Sequence, residues 1–139
     1  MKILLNTKLN LSENILKIYQ RIIQILDEFN YKIITSPNQT KLPLNNKIIE
    51  NISEFKQAIQ SVSLIIAECS SIDKELLEDL MYAIREKKPM ILMWHESTNL
   101  HARLWIEAYK NPLVEPLVYA DEKNLKQYLD FKIKKTMQS

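Results

Sequence analysis

The chain has 139 residues, a formal net charge of +2, and no glycine. At ordinary usage roughly ten glycines would be expected, and glycine alone reaches φ > 0 freely or lets a backbone touch a phosphate. The composition therefore excludes a P-loop and a G-x-G-x-x-G turn together, and the charge is too small to argue for nucleic acid.

Hydrophobic residues at 46% and charged residues at 26% are ordinary for a globular domain. The length fits one domain over 1–139 with a real core. One cysteine, Cys69, forms no internal disulfide and fits a reducing compartment. The apolar run after Met1 is short for a leader, and no stretch approaches the ~20 apolar residues of a membrane span. The expectation is a cytoplasmic chain with no membrane partner.

Ile3-Leu4-Leu5 opens the chain as a short apolar strand. Ser12 can cap a first helix in which Ile15, Ile18, Tyr19, Ile22, Ile23 and Leu26 recur at helical spacing. Tyr31 to Thr35 reads as a second strand, and residues 36–46, with Pro37 and Pro43, as the long loop. Ile48, Ile52, Phe55, Ile59 and Val62 mark a second helix, and Leu64 to Ala67 a third strand buried on both faces. Ser70-Ser71-Ile72-Asp73 introduces a third helix with Leu76, Leu77, Leu80, Met81 and Ile84 inward. Pro89 to Trp94 is a fourth strand, 98–109 a helix, Leu113 to Tyr119 a fifth strand, and 121–134 a last helix.

Strands alternating with helices predict right-handed crossovers and a parallel sheet covered on both faces, a single three-layer α/β domain of Rossmann or flavodoxin type. Ligands of such sheets sit outside the carboxyl ends of the strands, at the switch point in strand order. The residues to watch are Asn6, Thr7 and Lys8; Thr35 and Ser36; Glu68 to Ser71; His95 and Glu96; and 119–121.

Leu64-Ile65-Ile66-Ala67-Glu68-Cys69-Ser70-Ser71, a helix, and then Lys87-Lys88-Pro89-Met90-Ile91-Leu92 resemble the nucleoside 2-deoxyribosyltransferase superfamily, closest to its 2'-deoxynucleoside 5'-monophosphate N-glycosidases. Tyr19-Gln20-Arg21-Ile22-Ile23 is similar to that family's Tyr-x-Arg-Ile-Val segment, and Leu100-His101-Ala102-Arg103-Leu104 to its Leu-Ser-Ala-Met-Ile. The resemblance implies cleavage or transfer of an N-glycosidic bond without cofactor or metal. It also implies a nucleoside or nucleotide substrate and a homodimer whose interface uses the helix at 98–109.

Residue by residue, the family's nucleophilic glutamate falls on Asp79, one methylene shorter. The flanking glycines of its motif fall on Glu75, Leu77 and Met81, the phosphate-facing serine on Asp73, and the serine lent to a neighbouring subunit on His101. The first loop, glycine-rich in the family, reads Thr7-Lys8-Leu9-Asn10-Leu11-Ser12, and the family's second-helix aspartate falls on Phe55 beside Glu54. The implied catalytic residues are Asp79 and Glu68. Thr7, Lys8, Tyr19, Ser71, Asp73, Glu75 and His101 are the implied substrate-binding residues.

Two carboxylates at the start of the third helix stand where a phosphate would seek the dipole and free N–H groups. They favour an uncharged substrate end, and equally suit ordinary first-turn helix charges. Trp94, Trp105, Tyr109 and Tyr119 offer faces for a base, or serve as core and interface. Cys69, His95, Glu96 and His101 lack metal-ligand spacing. An inactive member of the fold, binding nucleosides or oligomerising, is the alternative reading.

Overall fold

A computed structural model describes residues 1–8, 11–36 and 52–138 of the chain. Five strands alternate with five helices. They are β1 (Lys2–Thr7), α1 (Glu13–Glu28), β2 (Lys32–Ser36), α2 (Ile52–Ser61), β3 (Leu64–Glu68), α3 (Lys74–Arg85), β4 (Met90–His95), α4 (Ala102–Lys110), β5 (Val114–Tyr119) and α5 (Leu125–Met137). The strands form one sheet in the order β2-β1-β3-β4-β5, and every pairing is parallel. This is the three-layer α/β arrangement expected, in the flavodoxin-like order, with its switch point between β1 and β3.

The alternation of side chains along each strand divides the core in two. Leu4, Ile34, Ile65, Leu92 and Trp94 pack beneath α2, α3 and α4. Ile3, Leu5, Ile33, Ile66 and Met93 pack beneath α1 and α5. All five residues of β3 are buried, which is why its sequence is a continuous apolar run ending in an acid.

Local chemistry sets most helix ends. Ser12 caps α1 by accepting from the Ile15 N–H at 3.4 Å, and Asp73 caps α3 by accepting from the Leu76 N–H at 2.8 Å. Without glycine, the left-handed positions fall to Asn30, Lys87 and Asn124, at φ of 62°, 58° and 63°. The Tyr31 N–H bonds the Leu26 carbonyl and the Asn30 N–H that of Asp27, which makes Asn30 the turn residue of a Schellman motif. Lys87 ends α3 in the same way, through bonds from Lys88 to Ala83 and from Lys87 to Ile84.

Two helices begin later than their sequence suggested. Residues 96–100 are held in a turn by bonds from Ser97 and Thr98 back to His95, so α4 starts at Ala102, capped by His101. Asp121 folds over its own turn by accepting from the Lys123 N–H at 2.8 Å, and α5 starts at Leu125. The first strand is longer than its apolar triplet, because Asn6 and Thr7 continue the ladder. The loop expected over 36–46 lies, beyond Ser36, outside the described residues, as do Ile48 and the expected start of the second helix. No helix of the described residues is long and apolar enough to cross a membrane.

Candidate functional site

The carboxyl ends of β1, β3, β4 and β5 carry two arrangements of polar groups, one on each face of the sheet. On the α1/α5 face, Glu68 is fully buried. Its Oε1 accepts from the Ser70 N–H at 2.7 Å, and its Oε2 from the Ser70 hydroxyl at 3.0 Å and from the Tyr119 hydroxyl. The Ser70 oxygen in turn accepts from the His95 N–H at 2.7 Å.

His95 extends this network. Its Nδ1 accepts from the Ser97 N–H at 3.1 Å, which leaves Nε2 to donate to the Ala120 carbonyl at 2.8 Å. Its ring meets that of Tyr119 edge-on, with centroids 5.7 Å apart. Burial raises the Glu68 carboxyl above its ordinary pKa, against the opposing pull of the Tyr119 and Ser70 donors. Burial likewise raises the Tyr119 phenol, and the adjoining Glu68 adds to it.

Below this cluster the switch point is stitched shut. The Thr7 hydroxyl donates to the Glu68 carbonyl at 3.0 Å, joining β1 to β3. Tyr19, wholly buried, donates its hydroxyl to the Leu5 carbonyl at 3.3 Å. Burial alone pushes that phenol upward. Tyr19 thus lies in the core, where its ring and hydroxyl tie α1 to β1.

The α2/α3 face is different. Asn6, at the end of β1, follows the alternation of Leu4 and so lies beneath α2 and α3. It stands level with Ser36 on β2 and Ala67 on β3. It is fully buried, and neither its amide nitrogen nor its oxygen has a hydrogen-bond partner among the described residues. Buried polar atoms are nearly always paired, so one left open asks for an explanation. The Thr35 hydroxyl on β2 is also buried and unpaired, on the opposite face.

Asp79 belongs to this second region. Leu76, Leu80 and Ala83 form the buried stripe of α3, and Asp79 flanks it on the side of Tyr82, one turn away. The Tyr82 ring meets that of Phe55 on α2, with centroids 6.5 Å apart. This places Asp79 on the flank of α3 that turns toward α2, one turn nearer the carboxyl edge than the aromatic pair. Partial burial, and then the carboxylates of Glu75, Glu78 and Asp73, push its pKa up to about 6. Asp79 is therefore an acid held close to neutrality, and the charges acting on it among the described residues are like its own, a combination concentrated at functional sites.

The remaining expected site residues occupy the rim. Lys8 is half-buried where β1 ends, Ser71 is exposed, and Glu75 is exposed in the first turn of α3. The Asp73 carboxylate is taken up as the α3 cap. The His101 Nδ1 is taken up as the α4 cap, accepting from the Arg103 N–H at 3.2 Å. Cys69 is buried and bonded to the Met93 carbonyl at 3.2 Å. No group of three His, Cys, Asp or Glu side chains among the described residues could hold a metal ion.

Asn6 and Tyr119 take a larger part in the polar arrangements at the strand ends than the sequence indicated. Asn6 was marked only by its place after an apolar run. Tyr119 was marked as a ring, whereas its hydroxyl is the part engaged.

Neither a family model nor a curated protein sequence matches the chain. Among solved structures it is similar to the CMP N-glycosidase BcmB of Clostridium botulinum. The TM-score is 0.63 at 23% identity, over 94% of this chain and 99% of that one, so the two share a fold along nearly their whole lengths.

Proposed function

We propose that this chain cleaves or transfers the N-glycosidic bond of a nucleoside or its 5'-monophosphate, with Asp79 as the nucleophile. The observation that carries the reading is Asp79 itself. It is a half-buried carboxylate on α3, on the sheet face where the Asn6 side chain stands buried and unpaired. The shared fold with a CMP N-glycosidase supports the reaction class. The resemblance of the third strand and first helix to 2'-deoxynucleoside N-glycosidases supports a 2'-deoxyribose as the sugar.

In this reaction an Asp79 oxygen bonds to C1' as the C1'–N bond breaks. The bonding pair leaves on the base nitrogen, which takes a proton. Water, or a second base, then attacks C1' and frees the carboxylate. The nucleophile must be ionised, so the rate rises with pH through about 6. Glu68 does not serve as the acid in this arrangement, because its oxygens are enclosed and already accept from Ser70 and Tyr119.

A second reading is a nucleoside-binding module without catalysis, and on either reading one observation favours an uncharged ligand over a 5'-monophosphate. The N-terminus of α3 is capped by the chain's own Asp73, with Glu75 in its first turn. A 5'-phosphate at that place would meet carboxylates in place of free donors.

Chromatography for free base distinguishes the readings, after incubation with deoxynucleosides, ribonucleosides and their 5'-monophosphates, CMP included. Release that disappears in Asp79→Asn supports the enzyme. No release across the panel from folded protein supports the binding module.

A further inference from the structure

The α3 side of the candidate site is negative on a chain that is positive overall. Residues 73–79 hold four carboxylates, Asp73, Glu75, Glu78 and Asp79, in a chain of net charge +2. Two lysines stand near them. Lys74 pairs with Glu78 at 3.9 Å, and Lys56 of α2 lies over the Tyr82 ring, 5.3 Å from its centroid. Four negative charges against two positive leave this flank negative, and the charges of Glu75, Glu78 and Asp73 all act on Asp79.

The acids that burial holds nearest to neutrality are not free to serve a leaving base. Among the described residues, burial raises the carboxyls of Glu68 and Asp79. The first is enclosed on the α1/α5 face by Ser70 and Tyr119, and the second must be ionised to attack. Asp73 is committed to the Leu76 N–H at 2.8 Å. A neutral base departs as an anion unless an acid protonates it. A base that is already positive departs neutral and needs no acid.

We infer, resting on the proposed placement of the nucleoside on the α2/α3 face, that the base of that nucleoside is cationic, a pyridinium or N-alkylated heteroaromatic ring. The α3 carboxylates attract such a ring, where they repel a phosphate. The step balances without an acid. An Asp79 oxygen bonds to C1', the C1'–N pair passes to the ring nitrogen, and the positive charge of the ring is discharged. Water then bonds to C1', the carboxylate leaves, and one proton goes to solvent. Asn6 gives an independent reason to place a base here. Its carboxamide, buried beneath α2 and α3, lacks both donor and acceptor partners among the described residues, and a ring bearing a carboxamide of its own supplies both.

Two probes that cannot be cleaved test the charge preference on the wild-type chain: 1-methylnicotinamide, a pyridinium cation, and nicotinamide, its neutral counterpart. Titration followed by nuclear magnetic resonance should show the cation bound about tenfold tighter or more at low salt. The gap should narrow as ionic strength rises from about 0.01 to about 0.5 M. Glu75→Gln should weaken the cation by about threefold and leave nicotinamide unchanged, with unchanged circular dichroism. Release of nicotinamide from its riboside, lost in Asp79→Asn, would add cleavage to binding. A Glu75-dependent preference for the cation with no release from any nucleoside keeps the inference and removes the catalytic reading. Release from neutral nucleosides without a preference for the cation overturns the inference and leaves the catalytic reading standing. Binding of neither ring, or a preference that survives both Glu75→Gln and Asp79→Asn, overturns it as well.

Discussion

Two acids lie on opposite faces of the same sheet, and they have opposite surroundings. Glu68, beneath α1 and α5, is wholly enclosed and receives bonds from Ser70 and Tyr119. Asp79, on α3, is half-buried and, among the described residues, feels the negative charges of Glu75, Glu78 and Asp73. Both carboxyls are raised by burial, so a shifted pKa does not separate them. Their partners do. A carboxylate whose lone pairs are taken up by the protein holds strand ends together, whereas on the catalytic reading one to which no described residue donates keeps them for a substrate.

Breaking the second arrangement should have the largest effect. Asp79→Asn is expected to lower base release on the order of 10³-fold or more, measured by chromatography at saturating substrate. The same substitution should raise stability. With the folded pKa near 6 and the ordinary value at 3.8, wild-type stability falls as pH rises between the two. The Asn variant escapes that loss, so its advantage in melting temperature should open from about pH 4 to about pH 6 and then stay level. A variant that loses both activity and stability would place Asp79 with the structural acids.

Breaking the first arrangement is a matter of stability. Tyr119→Phe removes one donor from a carboxyl that stays buried, and should cost about 1–3 kcal/mol by urea unfolding. The Glu68 carboxyl is already above its ordinary value of 4.5, and with fewer donors it should rise further. The deficit should accordingly be smallest in acid and grow as pH rises past that value. An equal loss at every pH would mean that the hydroxyl acts through packing alone.

Asn6→Leu sharpens the contrast from the other side. Replacing an unpaired buried amide by an apolar group of similar shape should be neutral, or stabilising by up to about 1 kcal/mol. On the catalytic reading it should also weaken substrate binding, seen as a raised KM. The smallest effect belongs to the turn after α3. Lys87→Gly should add about 0.5–1 kcal/mol, because Lys87 holds φ at 58° where glycine has no steric penalty.

The strands were legible because both faces of each inner strand are covered, which writes them as apolar runs such as Leu64 to Ala67. The first three helices were legible through their stripes, and the first also through the Ser12 cap. The late starts of α4 and α5 were not, since they depend on His95 recapturing residues 97 and 98, and on Asn124 taking a left-handed turn. Of the site, position was readable and partnership was not. Glu68 could be placed at a strand end, but its union with Tyr119 spans 51 residues and exists only once β4 and β5 are in place. Asp79 came from a resemblance, its place beside the stripe of Leu76 and Leu80 followed from helical spacing, and only the folded chain turns that flank toward α2.

The left-handed turns at Asn30, Lys87 and Asn124 have a consequence on the other side of the folding equilibrium. Each glycine replaced by a residue with a side chain narrows the unfolded ensemble, worth about 0.4–1 kcal/mol where the native backbone accepts the change. A chain of 139 residues without one glycine gives up less disorder on folding than its length suggests. That advantage offsets the strain at three turns and leaves room for an unpaired Asn6 in the interior.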